Sequence, residues 1–316
     1  MSVAFVFPGQ GSQAVGMGKA LAEAFPAAAA VFQEVDEALS QDLSGLMFTG
    51  PEIDLTLTAN AQPALMAVSL AVVRVLETEA GLDLARDAAF LAGHSLGEYS
   101  ALAAGGSFSL SDTARLLRLR GDAMQQAVPV GQGAMAALLG LDYETGVAVA
   151  AEAASPTEVC QIANDNGGGQ VVASGHKAAV ERAVEIAKTK GARRALLLPV
   201  SAPFHCALML PAADAMREAL ANVVIKPPKA PLVANVLAAP ITDPDDIRRR
   251  LVEQVTGTVR WRESVAFMAG QGVTTFYELG AGKVLAGLVK RIADTAAGIA
   301  VGTPADIEAF ANRART

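Results

Sequence analysis

The sequence predicts an α/β protein in which a mostly parallel sheet carries helices on both faces. Short apolar runs alternate with helical patterns along most of the 316 residues, which is typical of parallel strands joined by helices. Hydrophobic residues make up 52% of the chain and aromatic residues only 5%, so the core must consist mainly of Ala, Val, Leu and Gly. Such small side chains suit a layered fold, because they let helices approach a sheet closely.

Strands and helices alternate in the first part of the chain. A buried strand is expected at residues 3–7, where Pro8 and Gly9 stop an apolar run, and a second at residues 88–92. Helical patterns are expected over residues 60–79, 96–104 and 110–128.

Residues 131–198 have a different order of elements and predict an inserted subdomain. Strand, helix, strand, strand, helix and strand are expected at residues 134–139, 143–153, 159–163, 170–174, 176–190 and 195–198. This order is that of the ferredoxin-like unit, with residues 164–169 as the turn between its second and third strands. The large domain would then be discontinuous and comprise residues 1–130 and 199–316.

Beyond the insert, an irregular segment at residues 200–205 leads into a helix that ends near residue 222. The remaining expected elements are a linker with one short strand at 227–236, helices at 246–255 and 261–271, a strand at 274–278 and a last helix ending at residue 292.

Charge and cysteine content exclude several classes of protein. The chain has 25 basic and 32 acidic residues, so it lacks the basic surplus of a nucleic-acid-binding protein. Its two cysteines, Cys160 and Cys206, are expected to be free thiols, and its three histidines are not at metal-ligand spacing. No apolar stretch reaches about 18 residues without a charge or a breaker, and no targeting segment is visible. We therefore expect a cytoplasmic protein without a membrane span or a metal site.

A candidate nucleophile lies in Gly93-His94-Ser95-Leu96-Gly97, which matches G-x-S-x-G between a predicted strand and a predicted helix. A sharp strand-to-helix turn needs glycine on both sides, and it raises the Ser95 hydroxyl at the carboxyl end of the sheet. The turn also directs the Leu96 N–H and the positive end of the helix toward an oxyanion formed beside Ser95. An ordinary turn of small residues is the alternative.

A serine nucleophile needs a base, and the chain has only His94, His176 and His205. The side chain of His94 should diverge from that of the adjacent Ser95, and His176 is expected at a solvated helix N-terminus inside the insert. His205 remains by elimination, in an irregular segment that opens a helix. No Asp or Glu lies near His205 in the sequence to orient it, and a partly buried loop histidine is the alternative.

The third candidate is Arg120, in the helix expected at residues 110–128. Its neighbours three and four positions away are apolar or small: Leu116, Leu117, Ala123 and Met124. The Arg120 side chain therefore belongs to the core-facing stripe of the helix. A buried guanidinium without an anion is costly, which favours a binding site for a substrate carboxylate. The alternatives are a structural ion pair and a side chain at the edge of the stripe that extends its charged end to solvent.

The loop Gly9-Gln10-Gly11-Ser12-Gln13 follows the first strand. Its backbone, flanked by glycines, can donate an N–H into a site beside the end of the sheet, but any βα loop has this composition. It matches neither a P-loop nor a dinucleotide-binding motif.

Together, these segments resemble the malonyl-CoA:acyl carrier protein transacylases, an acyltransferase family of fatty acid synthesis. The resemblance runs over nearly the whole chain, and its motifs are residues 5–13 (FVFPGQGSQ), 93–99 (GHSLGEY), 118–121 (RLRG), 203–205 (PFH) and 252–254 (VEQ). The family's fold is an α/β-hydrolase-like large domain with a ferredoxin-like insert, in agreement with the order of elements above. The chain departs from the family pattern at Cys206, where serine is common, and at Ala281, where proline is usual.

The resemblance implies roles for six residues. They are Ser95 as nucleophile, His205 as its base, Arg120 as ligand of the malonyl carboxylate, the N–H groups of Gln10 and Leu96 as oxyanion hole, and the main-chain carbonyl of Gln254 as the group that orients His205. The implied reaction is a double displacement from malonyl-CoA to the phosphopantetheine thiol of acyl carrier protein, without a metal or a cofactor.

The carrier protein is acidic and is expected to dock on a basic patch. This patch consists of Lys188, Lys190, Arg193, Arg194, Lys290 and Arg291. A solvated face is the alternative for these residues. A serine hydrolase or thioesterase, and a non-catalytic carrier-docking module, are the alternative functions. A hydrolase predicts an acid beside His205 and no buried Arg120, and a docking module predicts no acyl-enzyme.

Overall fold

The computed structural model describes residues 2–200 and 202–314. Residues 1, 201, 315 and 316, which the expected large domain and the expected irregular segment at 200–205 include, lie outside the described residues. Two sheets organise the described part of the chain, one mostly parallel and one antiparallel. The fold class predicted from the sequence is therefore confirmed.

Ten strands are present in the described residues. They are β1 (Ser2–Phe7), β2 (Phe90–Gly93), β3 (Gly133–Leu139), β4 (Cys160–Asp165), β5 (Gln170–His176), β6 (Arg194–Leu197), β7 (Leu232–Ala234), β8 (Ala239–Ile241), β9 (Val273–Leu279) and β10 (Ala297–Val301).

Fifteen α-helices accompany them within residues 2–200 and 202–314. They are α1 (Lys19–Ala24), α2 (Pro26–Leu39), α3 (Leu43–Thr49), α4 (Glu52–Thr56), α5 (Thr58–Glu79), α6 (Leu84–Asp87), α7 (Leu96–Ala104), α8 (Leu110–Gln126), α9 (Tyr143–Ala153), α10 (Lys177–Thr189), α11 (Leu210–Ala221), α12 (Pro244–Gln254), α13 (Trp261–Gly270), α14 (Val284–Ile292) and α15 (Pro304–Ala314). A 3₁₀ turn, Ala207–Met209, precedes α11.

The large sheet has the strand order β10-β9-β1-β2-β7-β8. All neighbours are parallel except the edge strand β8, which runs antiparallel to β7. At the centre, β1 pairs with β2 from Ala4 opposite Phe90 to Phe7 opposite Gly93. The loops that follow the parallel strands therefore meet at one edge of the sheet, where open α/β sheets place their ligand sites.

The small sheet is built by the insert and has the strand order β4-β5-β3-β6, antiparallel throughout. Helices α9 and α10 share an apolar core with this sheet, separate from the core of the large domain. One expectation was wrong: Asn164 and Asp165 belong to β4 and not to a turn. Asn164 pairs with Val172 of β5, and the Asp165 N–H donates to the Val259 carbonyl, so both residues have ladder partners.

Helix α5 is the central helix of the large domain. Its length and apolar composition would allow it to cross a membrane, but 83% of its most apolar stretch is buried inside the protein. It packs against α2, α7 and α8 as a core helix.

The sequence analysis did not predict β8, β10 and α15. Strand β8 has three residues, and β10 consists largely of Ala and Gly, so neither gives a clear periodic signal. Both strands form through pairing with a neighbouring strand, β8 with β7 and β10 with β9.

Candidate active site

Ser95 lies in a strained turn between β2 and α7. Its φ of 54° and ψ of −111° are uncommon for a residue with a side chain. A Cβ on Gly93 would lie 1.9 Å from the Gly97 carbonyl carbon, and one on Gly97 would lie 2.2 Å from the Phe7 carbonyl oxygen. Only glycine fits at either position, so the G-x-S-x-G spacing is what allows the turn to form.

His205 contacts the Ser95 hydroxyl. Its Nε2 is 2.7 Å from Ser95 Oγ, and its Nδ1 is 2.9 Å from the main-chain carbonyl oxygen of Gln254. A carbonyl only accepts, so Nδ1 carries the hydrogen and Nε2 presents its lone pair to the hydroxyl. Among the hydrogen bonds of the described residues, the ring of His205 has no carboxylate partner. His205 also has a positive φ, of 58°.

The electrostatic surroundings keep His205 neutral. Burial, and then the positive charge of Arg120, lower its pKa to about 3. The ring therefore retains a free lone pair throughout the neutral range and can accept a proton from Ser95.

Arg120 is fully buried beside the dyad. Its Nη1 donates to Gln62 Oε1 at 2.7 Å, and its Nη2 donates to Gln254 Oε1 at 2.8 Å and to Ser95 Oγ at 3.1 Å. Its Nε has no hydrogen-bond partner within the described part of the chain. The guanidinium also lies 5.7 Å from the centre of the Tyr99 ring. A buried cation held by neutral oxygens, with a free N–H, is suited to a carboxylate ligand.

The cavity in front of Ser95 has a volume of about 530 Å³. Five of the candidate residues contribute to its wall: Gln10, Ser95, Leu96, Arg120 and His205. Leu96 is the first residue of α7, so its N–H has no acceptor inside the helix. Gly9 packs directly on His94, and Thr58 Oγ1 donates to Gln10 Oε1 at 2.9 Å, which holds the loop after β1 against the turn.

A polar network behind Ser95 was missed by the sequence analysis. The Gln254 side chain donates through Nε2 to the Ser95 carbonyl at 2.9 Å and to Glu98 Oε2 at 2.6 Å. Burial raises the pKa of Glu98 to about 7, against the opposing effect of its hydrogen bonds and of Arg120. Asn235 contacts the same turn. A polar residue directly after a parallel strand, as Asn235 follows β7, is the signal that could have indicated it.

The other two histidines lie apart from the Ser95 hydroxyl. His94 turns away, and its Nε2 is 2.8 Å from Asn166 Oδ1. His176 caps α10 as expected, but its ring is not merely solvated, because Nδ1 accepts the Val159 N–H at 2.8 Å. Both cysteines are free and buried.

The six residues of the expected basic patch are all exposed. Lys188 pairs with Glu185 and Lys190 with Glu152. Arg193 lies against Gly140 and Arg291 against Gly168, and the Gly140 N–H donates to the Gly169 carbonyl. Arg193 of the insert and Arg291 of the large domain therefore lie near each other, beside the glycine turn at residues 167–169 and the adjacent Gly140.

Three comparisons with known proteins agree on the family of this chain. The profile of the acyl transferase domain matches residues 4–305. The malonyl CoA-acyl carrier protein transacylase of Bacillus subtilis strain 168 is 48% identical over 306 residues, which cover 97% of this chain and 95% of that protein. The solved structure of an acyl-carrier-protein-S-malonyltransferase from Bartonella henselae is 57% identical, with a TM-score of 0.97 over 100% of both chains.

A third relative was solved with its partner. This malonyl-transacylase, in complex with a holo type II PKS acyl-carrier protein, is 43% identical and has a TM-score of 0.95 over 99% of this chain and 100% of that one. The chain therefore belongs to the acyl transferase domain family and, within it, to the malonyl-CoA:acyl carrier protein transacylases.

Proposed function

We propose that this enzyme transfers the malonyl group from malonyl-CoA to the phosphopantetheine thiol of acyl carrier protein, and so supplies fatty acid biosynthesis. Its family supports this activity. The observation that carries the choice of acyl group is Arg120, a buried cation whose Nη2 lies 3.1 Å from Ser95 Oγ and whose Nε is unpaired in the described residues. An acyl group on Ser95 that ends in a carboxylate supplies the missing anion.

In the first half-reaction, Ser95 is the nucleophile. His205 Nε2 takes the hydroxyl proton as Oγ attacks the thioester carbonyl carbon of malonyl-CoA. The N–H groups of Gln10 and Leu96 hold the tetrahedral oxyanion, and removal of one such donor typically costs about 3–4 kcal/mol. The carbon–sulfur bond then breaks, and the coenzyme A sulfur leaves with the proton from His205.

The second half-reaction is the reverse with a different thiol. His205 takes the proton of the phosphopantetheine thiol, whose sulfur attacks the malonyl ester carbonyl. The bond to Ser95 Oγ breaks, and Oγ recovers the proton from His205. The Gln254 carbonyl keeps the His205 ring in the same tautomer through both halves, because it accepts the Nδ1 hydrogen.

The alternative functions are not favoured. A serine hydrolase would pair its base with an acid, whereas the ring of His205 contacts a main-chain carbonyl. A buried cation beside the nucleophile suits an acyl group that ends in a carboxylate, which a general thioesterase does not require. A docking module has no need of a strained turn or a serine–histidine contact.

Acyl carrier protein is the acceptor in this proposal, and the six basic residues are its docking patch. Arg193 and Arg291 are its centre, since they lie beside the glycines of the insert's turn at residues 167–169 and of the adjacent Gly140, whereas Lys188 and Lys190 already have carboxylate partners. The cytoplasm is the proposed location, supported by two free cysteines in one chain.

Intact-mass spectrometry after mixing with malonyl-CoA tests the proposal. The wild-type enzyme should gain one malonyl group, keep it against water and lose it to holo-carrier. Ser95→Ala should gain none, and Cys206→Ser should behave as wild type, because burial raises the pKa of that thiol and keeps it unreactive. An adduct that persists in Ser95→Ala would move the nucleophile elsewhere, and rapid release of free malonate to water would favour the hydrolase.

A further inference from the structure

Asn235 directly follows β7, and its side chain spans the turn that carries Ser95. Its Nδ2 donates to the Gly93 carbonyl at 2.7 Å, and its Oδ1 accepts the Ser95 N–H at 2.8 Å. The residue is only 1% exposed. One amide side chain therefore supplies a donor and an acceptor to two backbone groups on either side of His94.

These two backbone groups lie beyond the point where β2 pairs with β7. Strands β2 and β7 pair at Leu91 and Leu232, and the Leu91 N–H donates to the Pro231 carbonyl. Beyond that point β2 no longer pairs with β7, although it stays paired with β1 as far as Gly93, and its buried backbone groups on the β7 side still need partners. The Asn235 side chain continues the ladder in place of β7 backbone. A neutral amide of this length offers a donor and an acceptor together, whereas an ionised carboxylate has no donor.

The opposite side of the turn is held by Gln254, which donates to the Ser95 carbonyl at 2.9 Å. The backbone N–H of Asn235 points to Glu98 Oε2 at 3.4 Å, so Asn235 and Gln254 share one buried carboxyl. Both backbone groups of Ser95 are thus fixed by side chains. A strained conformation such as that of Ser95 persists only where the surroundings determine it.

We propose that Asn235 is a positioning residue, which holds the Ser95 backbone so that Oγ stays in reach of His205 and the Leu96 N–H faces the oxyanion. The proposal rests on the proposed function of Ser95 as nucleophile. Because a displacement of about 1 Å can reduce a rate about 100-fold, loss of either Asn235 bond slows acylation and leaves the KM for malonyl-CoA nearly unchanged.

The variant Asn235→Asp tests this through pH. The ionised carboxylate of this variant keeps the acceptor for Ser95 but repels the Gly93 carbonyl, whereas its protonated form donates and accepts as asparagine does. Glu98 from α7 is the charged group that faces this position directly. Arg120 from α8 contacts the neighbouring Gln254, and His205 lies beyond Ser95. His94 lies between the two backbone groups, but its ring contacts Asn166. Backbone bonds alone connect Asn235 to Arg260. The wild type contains the same neighbouring groups. The acylation rate of Asn235→Asp divided by that of the wild type, measured at each pH, therefore reports only the titration of the new carboxyl.

We expect single-turnover malonylation of Asn235→Asp to be about 100-fold slower than wild type near pH 8.5 and to recover at least about tenfold relative to wild type near pH 6. Asn235→Ala loses both bonds, so it should be slow at every pH. Asn222→Asp, at an exposed asparagine after α11, is the matched control and should follow the wild type.

Melting temperatures separate positioning from folding. The proposal is overturned if the rate ratio of Asn235→Asp does not rise as pH falls, or if Asn235→Ala acylates at the wild-type rate. It is also overturned if neither variant folds, because Asn235 is then a structural residue. A wild-type enzyme that forms no malonyl adduct overturns the proposed function itself, whereas a normal wild type with unaffected variants overturns only the role of Asn235.

Discussion

The large domain and the insert contribute different groups to one cavity. All the residues proposed for bond making and breaking lie in the large domain. They are found in the loops after β1 and β2, in α7 and α8, in the segment before the 3₁₀ turn Ala207–Met209, and at the end of α12. The insert contributes Met135, Asn164 and Leu198 to the cavity wall and Arg193 to the outer surface. The proposed chemistry therefore belongs to the large domain, whereas the proposed docking patch spans both parts.

The difference follows from the two topologies. A parallel sheet brings the ends of several strands to one edge, so groups distant in sequence converge there. The antiparallel insert instead covers that edge. Two hydrogen bonds connect the insert to the large domain close to His205. Gln161 Oε1 accepts the Ala207 N–H at 2.7 Å, and Thr258 Oγ1 donates to the Ile162 carbonyl at 2.6 Å. Strand β4 thus holds the segments that follow His205 and Gln254.

The largest effect is expected from Arg120, on the chemical side of this division. An acetyl group would leave its buried charge unpaired, which costs about 2–5 kcal/mol, or about 30- to several-thousand-fold in discrimination. Arg120→Ala should lose malonyl transfer and keep or gain acetyl transfer, measured as kcat/KM for both thioesters. Arg120→Lys should restore little, because an ammonium cannot make the planar pair of bonds.

The matched control is Arg118→Ala, two residues away in the same helix. Arg118 donates to Asn60 and Gln41 on a partly exposed face, so its loss should leave the preference for malonyl unchanged. Melting curves exclude a general loss of fold. A folded Arg120→Ala that still prefers malonyl-CoA to acetyl-CoA would make Arg120 a structural residue.

Glu98 should affect stability with a definite dependence on pH. Its pKa is raised from 4.5 to about 7 by burial. A group with a raised pKa in the folded state stabilises the fold below its unfolded pKa, and this stabilisation is lost as pH rises through about 7. Glu98→Gln removes the titration but keeps an oxygen for Gln254. Between about pH 5 and pH 9 the free energy of unfolding of Glu98→Gln should fall less than that of the wild type, by up to about 3 kcal/mol.

Urea unfolding at several pH values measures this difference. Glu152→Gln, at an exposed carboxyl of the insert, is the control and should follow the wild-type curve. If the free energy of unfolding changes with pH in the same way for Glu98→Gln and the wild type, Glu98 does not titrate in this range.

The sequence predicted those parts of the site that depend on local pattern. The turn at Ser95 follows from its glycines and from the strand before it, and the buried position of Arg120 follows from its neighbours at three and four positions. The partner of His205 came only from the family resemblance, because Gln254 lies 49 positions away. Asn235 and Ser95 are 140 positions apart, and no local pattern states which loops meet at the edge of a sheet.

The smallest effect is expected from the basic patch, which is proposed to bind the carrier protein. Arg193→Glu combined with Arg291→Glu should raise the KM for holo-carrier about three- to tenfold at low salt and leave malonyl loading of Ser95 intact, because surface charges act mainly on the rate of encounter. Steady-state kinetics with varied carrier, and single-turnover loading with malonyl-CoA, measure the two steps separately.

Lys226→Glu combined with Lys229→Glu is the matched control, since it makes the same change in net charge at two exposed lysines beside Gly105 and Ser107. If only the Arg193 and Arg291 pair raises the KM, and added salt removes the difference, the effect belongs to a local surface and not to total charge. Equal effects of both pairs would assign the attraction to net charge. An unchanged KM at low salt would exclude this patch, and a slower loading step would show that the insert also takes part in the chemistry.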